Sequence, residues 1–142
     1  MDGVEYETGP MDPRDYDRLR RAVGWSSYAP GEIQEGLDGT LFAVVARVRG
    51  EAAAMGRVIG DGKMAFYIQD VIVLPEFQGR GIGTEIMRTI MGWIDSRSVD
   101  HSIVGLMAAA GKEAFYEGFG FVRRPNEKMG CGMNIWVAKG AR

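Results

Sequence analysis

A single cysteine and a single histidine stand among the 142 residues. With only Cys131 available, an internal disulfide and a cysteine-rich metal site are excluded, so packing alone has to hold the fold. Positive charge is not in excess either. Lys plus Arg number 17 against 19 Asp plus Glu, a net charge of −2, which offers no broad field for a nucleic-acid backbone and suits a cationic substrate better. No apolar run approaches the length of a bilayer-spanning helix. The opening residues Met1-Asp2-Gly3-Val4-Glu5-Tyr6 lack a basic stretch followed by an apolar one, so no secretory leader is expected. Repeats and low-complexity tracts are also missing. What is present is a 46% hydrophobic, 25% charged chain, the balance of an ordinary globular protein and long enough for one core but short for two. The expectation is one cytoplasmic domain over residues 1–142, with no nucleic-acid, membrane or metal partner. Oligomeric state is not legible, and a homodimer stays open.

Local patterns divide the chain into alternating element types. Val4, Tyr6 and Thr8 alternate with acidic neighbours before Gly9-Pro10, the mark of a short strand closed by a turn. Asp12 before Pro13 reads as a helix N-cap, and Tyr16, Leu19 and Val23 supply its apolar stripe, with an end near Gly24. A second short helix is placed from Pro30 towards Gly36. Leu41 to Val48 and Ala52 to Ile59 read as a hairpin about Arg49-Gly50-Glu51, and Ala65 to Val73 as a central strand stopped by Leu74-Pro75. Ile82, Ile86, Ile90 and Ile94 then recur every fourth residue, which makes a long amphipathic helix. Ile103 to Met107 is placed as a strand, Gly111 to Glu117 as a short helix and Asn134 to Lys139 as a last strand.

Chemistry concentrates in Val71-Ile72-Val73-Leu74-Pro75-Glu76-Phe77-Gln78-Gly79-Arg80-Gly81-Ile82-Gly83, a strand, a turn with three glycines and a helix start. Backbone N–H groups there can approach an anion without an intervening Cβ, at the positive end of a helix dipole. Arg80 adds a forked cationic donor suited to phosphate oxygens. A P-loop would need Lys-Ser or Lys-Thr after its last glycine, where Thr84-Glu85 stands instead. A dinucleotide fingerprint would need Gly-x-Gly-x-x-Gly on the first strand, whereas Gly79, Gly81 and Gly83 alternate in mid-chain.

The segment resembles the GNAT superfamily of acyl-CoA-dependent N-acyltransferases, whose pattern is Gln/Arg-x-x-Gly-x-Gly/Ala after a strand ending Val-x-Pro. Gln78, Gly81 and Gly83 fill that pattern, with Val73 and Pro75 ahead of it. Tyr116, Gly120 and Phe121 resemble the closing Tyr-x-x-x-Gly-Phe signature. The resemblance implies an α/β fold: a mixed, mostly antiparallel sheet of six to seven strands flanked by four helices. It further implies acetyl-CoA as co-substrate, with its pantetheine arm along the backbone of Val71, Ile72 and Val73. The pyrophosphate would lie over Gly79, Arg80, Gly81, Ile82, Gly83 and Thr84, beside Gln78. Many relatives place Asn where Ala109 stands, and that contact is expected to be missing.

Acetyl transfer to an amine needs a neutral nucleophile, a sink for oxyanion charge and a proton for the departing thiolate. Deprotonating an alkylammonium of pKa about 10.4 at pH 7 costs roughly 4.6 kcal/mol, so a base or a water chain is required. Asp70, at the end of the central strand, is the candidate carboxylate, with Glu76 and Glu32 as substitutes and a structural acid as the competing reading. The resemblance points to a backbone N–H near Val71 or Ile72 for the oxyanion, and to Tyr116 as the acid that protonates the thiolate. Trp25 and Tyr28 are placed as walls of the acceptor pocket. His101, Cys131 and the Arg123-Arg124 pair are read as solvated or packing residues. The function expected is direct N-acetylation of a primary amine, of a small molecule. The alternatives are a protein lysine or N-terminal acetyltransferase and a non-catalytic acyl-CoA sensor.

Overall fold

The computed structural model describes residues 3–141, which fall into two compact units, one up to Leu106 and one from Met107 onward. The first holds β1 (Val4–Thr8), α1 (Pro13–Ala22), α2 (Pro30–Leu37), β2 (Phe42–Val48), β3 (Glu51–Gly60), β4 (Ala65–Val73), α3 (Ile82–Arg97) and β5 (Ile103–Gly105). The second holds α4 (Glu113–Glu117). The five strands lie in sequence order, antiparallel except for the parallel pair β4 and β5. A parallel neighbour needs a crossover, and α3 provides it.

Each helix starts where its residues allow. The Asp12 carboxylate accepts the Arg14 amide at 2.8 Å with Pro13 in the first helical position, so α1 begins capped and pre-formed. Glu32 reaches back to the Ala29 amide at 2.8 Å and does the same for α2. Both faces of the sheet are covered, which is why β2 and β3 read as nearly unbroken buried runs. On one face Tyr16, Leu19, Ile33 and Leu37 of α1 and α2 meet Ala43, Val45, Met55 and Ile72. On the other, Ile82, Ile86, Met87, Ile90 and Ile94 of α3 are almost wholly removed from water, each contributing about 1.5–3 kcal/mol. Trp93 finishes that face by stacking on Phe42 at 5.1 Å. The α3 helix comes so near to β3 that a Cβ on Gly56 would stand 2.8 Å from Ile90 Cδ1 and 3.0 Å from Ile86 Cγ2.

In the second unit Phe115, Tyr116, Phe119 and Phe121 make a chain of edge contacts at 5.1 to 6.2 Å. The strand expected over Asn134 to Lys139 is not formed, so the described residues hold five strands where six to seven were expected. Its alternation lacks both things that make a strand, a ladder partner and a covered face. Ile135, Trp136 and Val137 are 88%, 85% and 67% exposed. The Ile103 to Met107 strand also shortens to Ile103–Gly105.

Candidate active site

The site begins with an irregularity in β4. Met55 pairs with Ile72 and Arg57 with Gln69, so Gly56 faces two residues, Asp70 and Val71, in a β-bulge. Asp70 sits at φ 58°, in the left-handed region. Simple alternation would put Asp70 on the sheet face opposite to Gln69. The bulge shifts the phase and leaves both on the side of α1 and α2.

There the Asp70 carboxylate is fully buried and engaged on both oxygens. Arg20 Nη1 donates to Oδ1 at 2.6 Å, while Arg57 Nε and the Tyr16 hydroxyl both donate to Oδ2 at 2.9 Å. Burial, the adjacent carboxylate charge and this hydrogen bond push the Tyr16 phenol up to about 12, so it stays protonated as a donor. Arg20 is walled by aromatic rings, its guanidinium lying 5.6, 5.4 and 5.3 Å from the ring centres of Tyr16, Trp25 and Tyr28. Trp25 and Tyr28, expected to wall an acceptor pocket, are thus brought together by Arg20.

A cleft of about 230 Å³ opens beside this cluster, with Tyr16, Tyr28, Glu32, Arg57 and Gln69 as its polar lining and Ile33 and Leu37 as its apolar one. Tyr28 lines it, and Trp25 stands behind Arg20. Asp70 touches the cleft only through Arg57 and Tyr16.

At the other end of the bulge lies the glycine turn. Pro75–Phe77 forms one 3-10 turn, and Gln78 Nε2 donates to the Val73 carbonyl at 3.0 Å, tying the turn to the end of β4. Gly79 and Gly81 adopt φ 75° and 84°, and Gly81 is the N-cap of α3 with no side-chain cap. The amides of Gly79, Gly81, Ile82, Gly83 and Thr84 donate to no backbone carbonyl among the described residues. They are the unpaired donors of a helix start. The Ile82 side chain is buried in the core, so its amide is what it presents. The guanidinium of Arg80 lies 5.8 Å from the Phe77 ring centre. The ladder between β4 and β5 ends at Tyr67 and Gly105, so on that edge Ile68 to Val73 have no strand beside them among the described residues.

In the second unit Tyr116 sits half-buried on α4, where burial raises its phenol above the ordinary value. Its hydroxyl has no hydrogen-bond partner among the described residues. His101 is exposed at φ 73°, Cys131 is exposed, and Arg123 pairs with Glu117 at 2.8 Å. Glu76 is exposed on the 3-10 turn. No three His, Cys, Asp or Glu residues gather as metal ligands among the described residues.

The family model of the acetyltransferase (GNAT) domain matches residues 38–123. That run is more than half of the chain and takes in the bulge, the glycine turn and Tyr116. The chain belongs to the GNAT acetyltransferase family. Its structure is similar to that of a protein of unknown function from meticillin-resistant Staphylococcus aureus titled a probable acetyltransferase, with TM-score 0.85, 35% identity and 94% and 99% of the two chains covered. A GNAT family acetyltransferase from Streptococcus pneumoniae has the same fold, with TM-score 0.77 at 24% identity over 96% and 98% of the chains. The uncharacterized ycf52-like N-acetyltransferase of Prochlorococcus marinus is 27% identical over 123 residues, or 81% of this chain. This GNAT chain spans 65% of that curated relative's length.

Within the GNAT fold, two residues of the cluster went unread in the sequence. Arg20 follows Tyr16 by four positions and so shares its helix face, and Arg57 is the charged residue in the interior of an alanine-rich strand. Both were signals for a buried ion cluster, yet neither names its partner, since Asp70 is 50 and 13 residues away from them in sequence.

Proposed function

We propose that this GNAT protein transfers the acetyl group of acetyl-CoA to the primary amine of a small molecule, by direct attack in a ternary complex. The observation that carries the reading is the set of amides at Gly79, Gly81, Ile82, Gly83 and Thr84 that donate to no backbone carbonyl among the described residues, next to the edge of β4 over Ile68 to Val73 beyond the end of its ladder with β5. Acetyl-CoA would supply an activated thioester there. The residues present fit it: two glycines at positive φ keep Cβ atoms out of the turn, and Arg80 brings a full positive charge for a diphosphate. The backbone of Val71, Ile72 and Val73 aligns the extended arm, with Gln78 holding the turn against the strand end. The bulge frees backbone from regular pairing near Val71, which suits it to donate to the oxyanion.

The acceptor enters the cleft. Its volume lies below the roughly 300–1,000 Å³ of drug-sized ligand sites, which favours a small amine over a folded protein surface. Asp70, held by two guanidinium groups, acts as a positioning residue for Arg57 and Arg20. Glu32 is the carboxylate on the cleft wall that attracts the ammonium, and water carries its proton away. Tyr116 protonates the thiolate. A cytoplasmic location and one domain made of both units belong to the same proposal. Among the described residues no helix is long and apolar enough to cross a membrane, and the family match runs unbroken past Leu106.

A thiol-release assay with acetyl-CoA over polyamines, arylalkylamines, amino acids, aminoglycosides and lysine peptides tests the reading. Release with a small amine is the expected result. Release with peptides alone would make the chain a protein acetyltransferase, and acetyl-CoA binding without release from any acceptor would make it a sensor.

A further inference from the structure

The charges around Asp70 do not balance. Arg20 and Arg57 bring two positive charges on side chains that are 9% and 12% exposed, and Asp70 is the one carboxylate paired with either among the described residues. Tyr16 adds a neutral hydroxyl. A largely buried cation without its own counter-ion is costly, so the surplus positive charge calls for an anion or for water.

The two guanidinium groups differ in what they have left to donate. Arg20 is enclosed: Nε donates to the Ser26 carbonyl at 2.8 Å, Nη1 to Asp70 at 2.6 Å, and three aromatic rings surround it. Arg57 gives Nε to Asp70 at 2.9 Å and Nη1 to Thr40 Oγ1 at 3.0 Å. Its Nη2 has no partner among the described residues, and the side chain lines the cleft. Gln69, its cross-strand partner, lines the same wall. Glu32 lines the cleft from α2, takes part in no ion pair among the described residues, and spends one oxygen on the Ala29 amide. The cleft therefore carries a spare cationic donor and a carboxylate, the complement of a zwitterion.

We propose that the acceptor is an amine that also bears a compact oxyanion, which accepts a charge-assisted hydrogen bond from Arg57 while the amine faces Glu32. This deepens the transferase reading above and rests on it. Arg57 is then the residue that determines specificity, and Asp70 and Thr40 hold its orientation.

Matched acceptors test it: phenylalanine against phenethylamine, ornithine against putrescine, and O-phosphoethanolamine against ethanolamine. Thiol release should favour the anionic member of at least one pair by about 10- to 100-fold in kcat/KM, and the favoured pair tells carboxylate from phosphate. Arg57→Lys keeps the charge and loses the fork, and should pull that ratio towards one in a protein whose circular dichroism and melting match the parent. A neutral or purely cationic member used as well as its anionic partner in every pair overturns the inference while leaving the transferase reading intact. So does an unchanged ratio in folded Arg57→Lys. Failure of every acceptor tried to release thiol sinks the transferase reading instead. Calorimetric titration of the same pairs into the parent protein then decides the anion site by itself, since equal binding of both members, or binding of neither, overturns it.

Discussion

At Asp70 the backbone turns to φ 58°, and that angle brings the carboxylate to the face where Arg20, Arg57 and Tyr16 wait. Removing its charge should be expensive, because two guanidinium groups would stay buried with a neutral amide between them. Asp70→Asn is expected to lower stability by about 3–5 kcal/mol, read as a shift in the urea midpoint at constant m-value. A loss below about 1 kcal/mol, the range of exposed pairs, would mean that water already shields the cluster. At Tyr116 burial raises the phenol, so the acid form persists to higher pH than for a free tyrosine and is complete at neutrality. Tyr116→Phe should therefore reduce kcat by about 100-fold or more with acetyl-CoA affinity nearly unchanged. It should also abolish the alkaline fall in rate expected of the parent as this phenol ionises. Equal turnover by the two proteins would take Tyr116 out of the mechanism.

Elements of the first unit bring Asp70, Arg20, Arg57 and Tyr16 within reach of each other, and Gly56 shows how closely sheet and helix are set. On Gly56 an added Cβ meets Ile90 and Ile86 of α3 at 2.8 and 3.0 Å, so Gly56→Ala should push helix from sheet and cost about 1–3 kcal/mol. Thermal unfolding at parental or higher temperature would show that α3 can slide without penalty. Gly81 has nothing within 4 Å of an added Cβ, yet stands at φ 84°. Gly81→Val thus fails through backbone strain and not through a clash: β-branched residues avoid this region. The fold should survive by circular dichroism while acetyl-CoA binding by calorimetry is lost, and unchanged affinity would refute the cradle. The helices of the first unit were legible because their signals are local, Asp12-Pro13 for α1 and the four-residue isoleucine spacing for α3. The bulge was not, since it depends on register against β3, and an aspartate in a β-prone run gives only a faint hint that it tolerates positive φ. The ion cluster was illegible for the same reason of distance. Asn134 to Lys139 erred the other way, because alternation without a partner strand reads the same as alternation with one.

For the whole molecule the question is whether the acetyl group ever rests on the protein. An acyl-enzyme needs a nucleophile activated by an adjacent base. Cys131 is exposed and has no hydrogen-bonded base among the described residues, and the hydroxyl of Tyr16 is committed to Asp70. Direct attack has a different requirement, that the amine wait in the cleft of the first unit while the turn at α3 holds the diphosphate and the edge of β4 aligns the arm that ends in the thioester. Initial rates measured over a grid of acetyl-CoA and acceptor concentrations should therefore give intersecting double-reciprocal lines. Cys131→Ser should retain full turnover. Parallel lines, or a burst of free thiol in the absence of acceptor, would mean that a covalent intermediate forms and that the cleft binds its amine only after the thiol has gone.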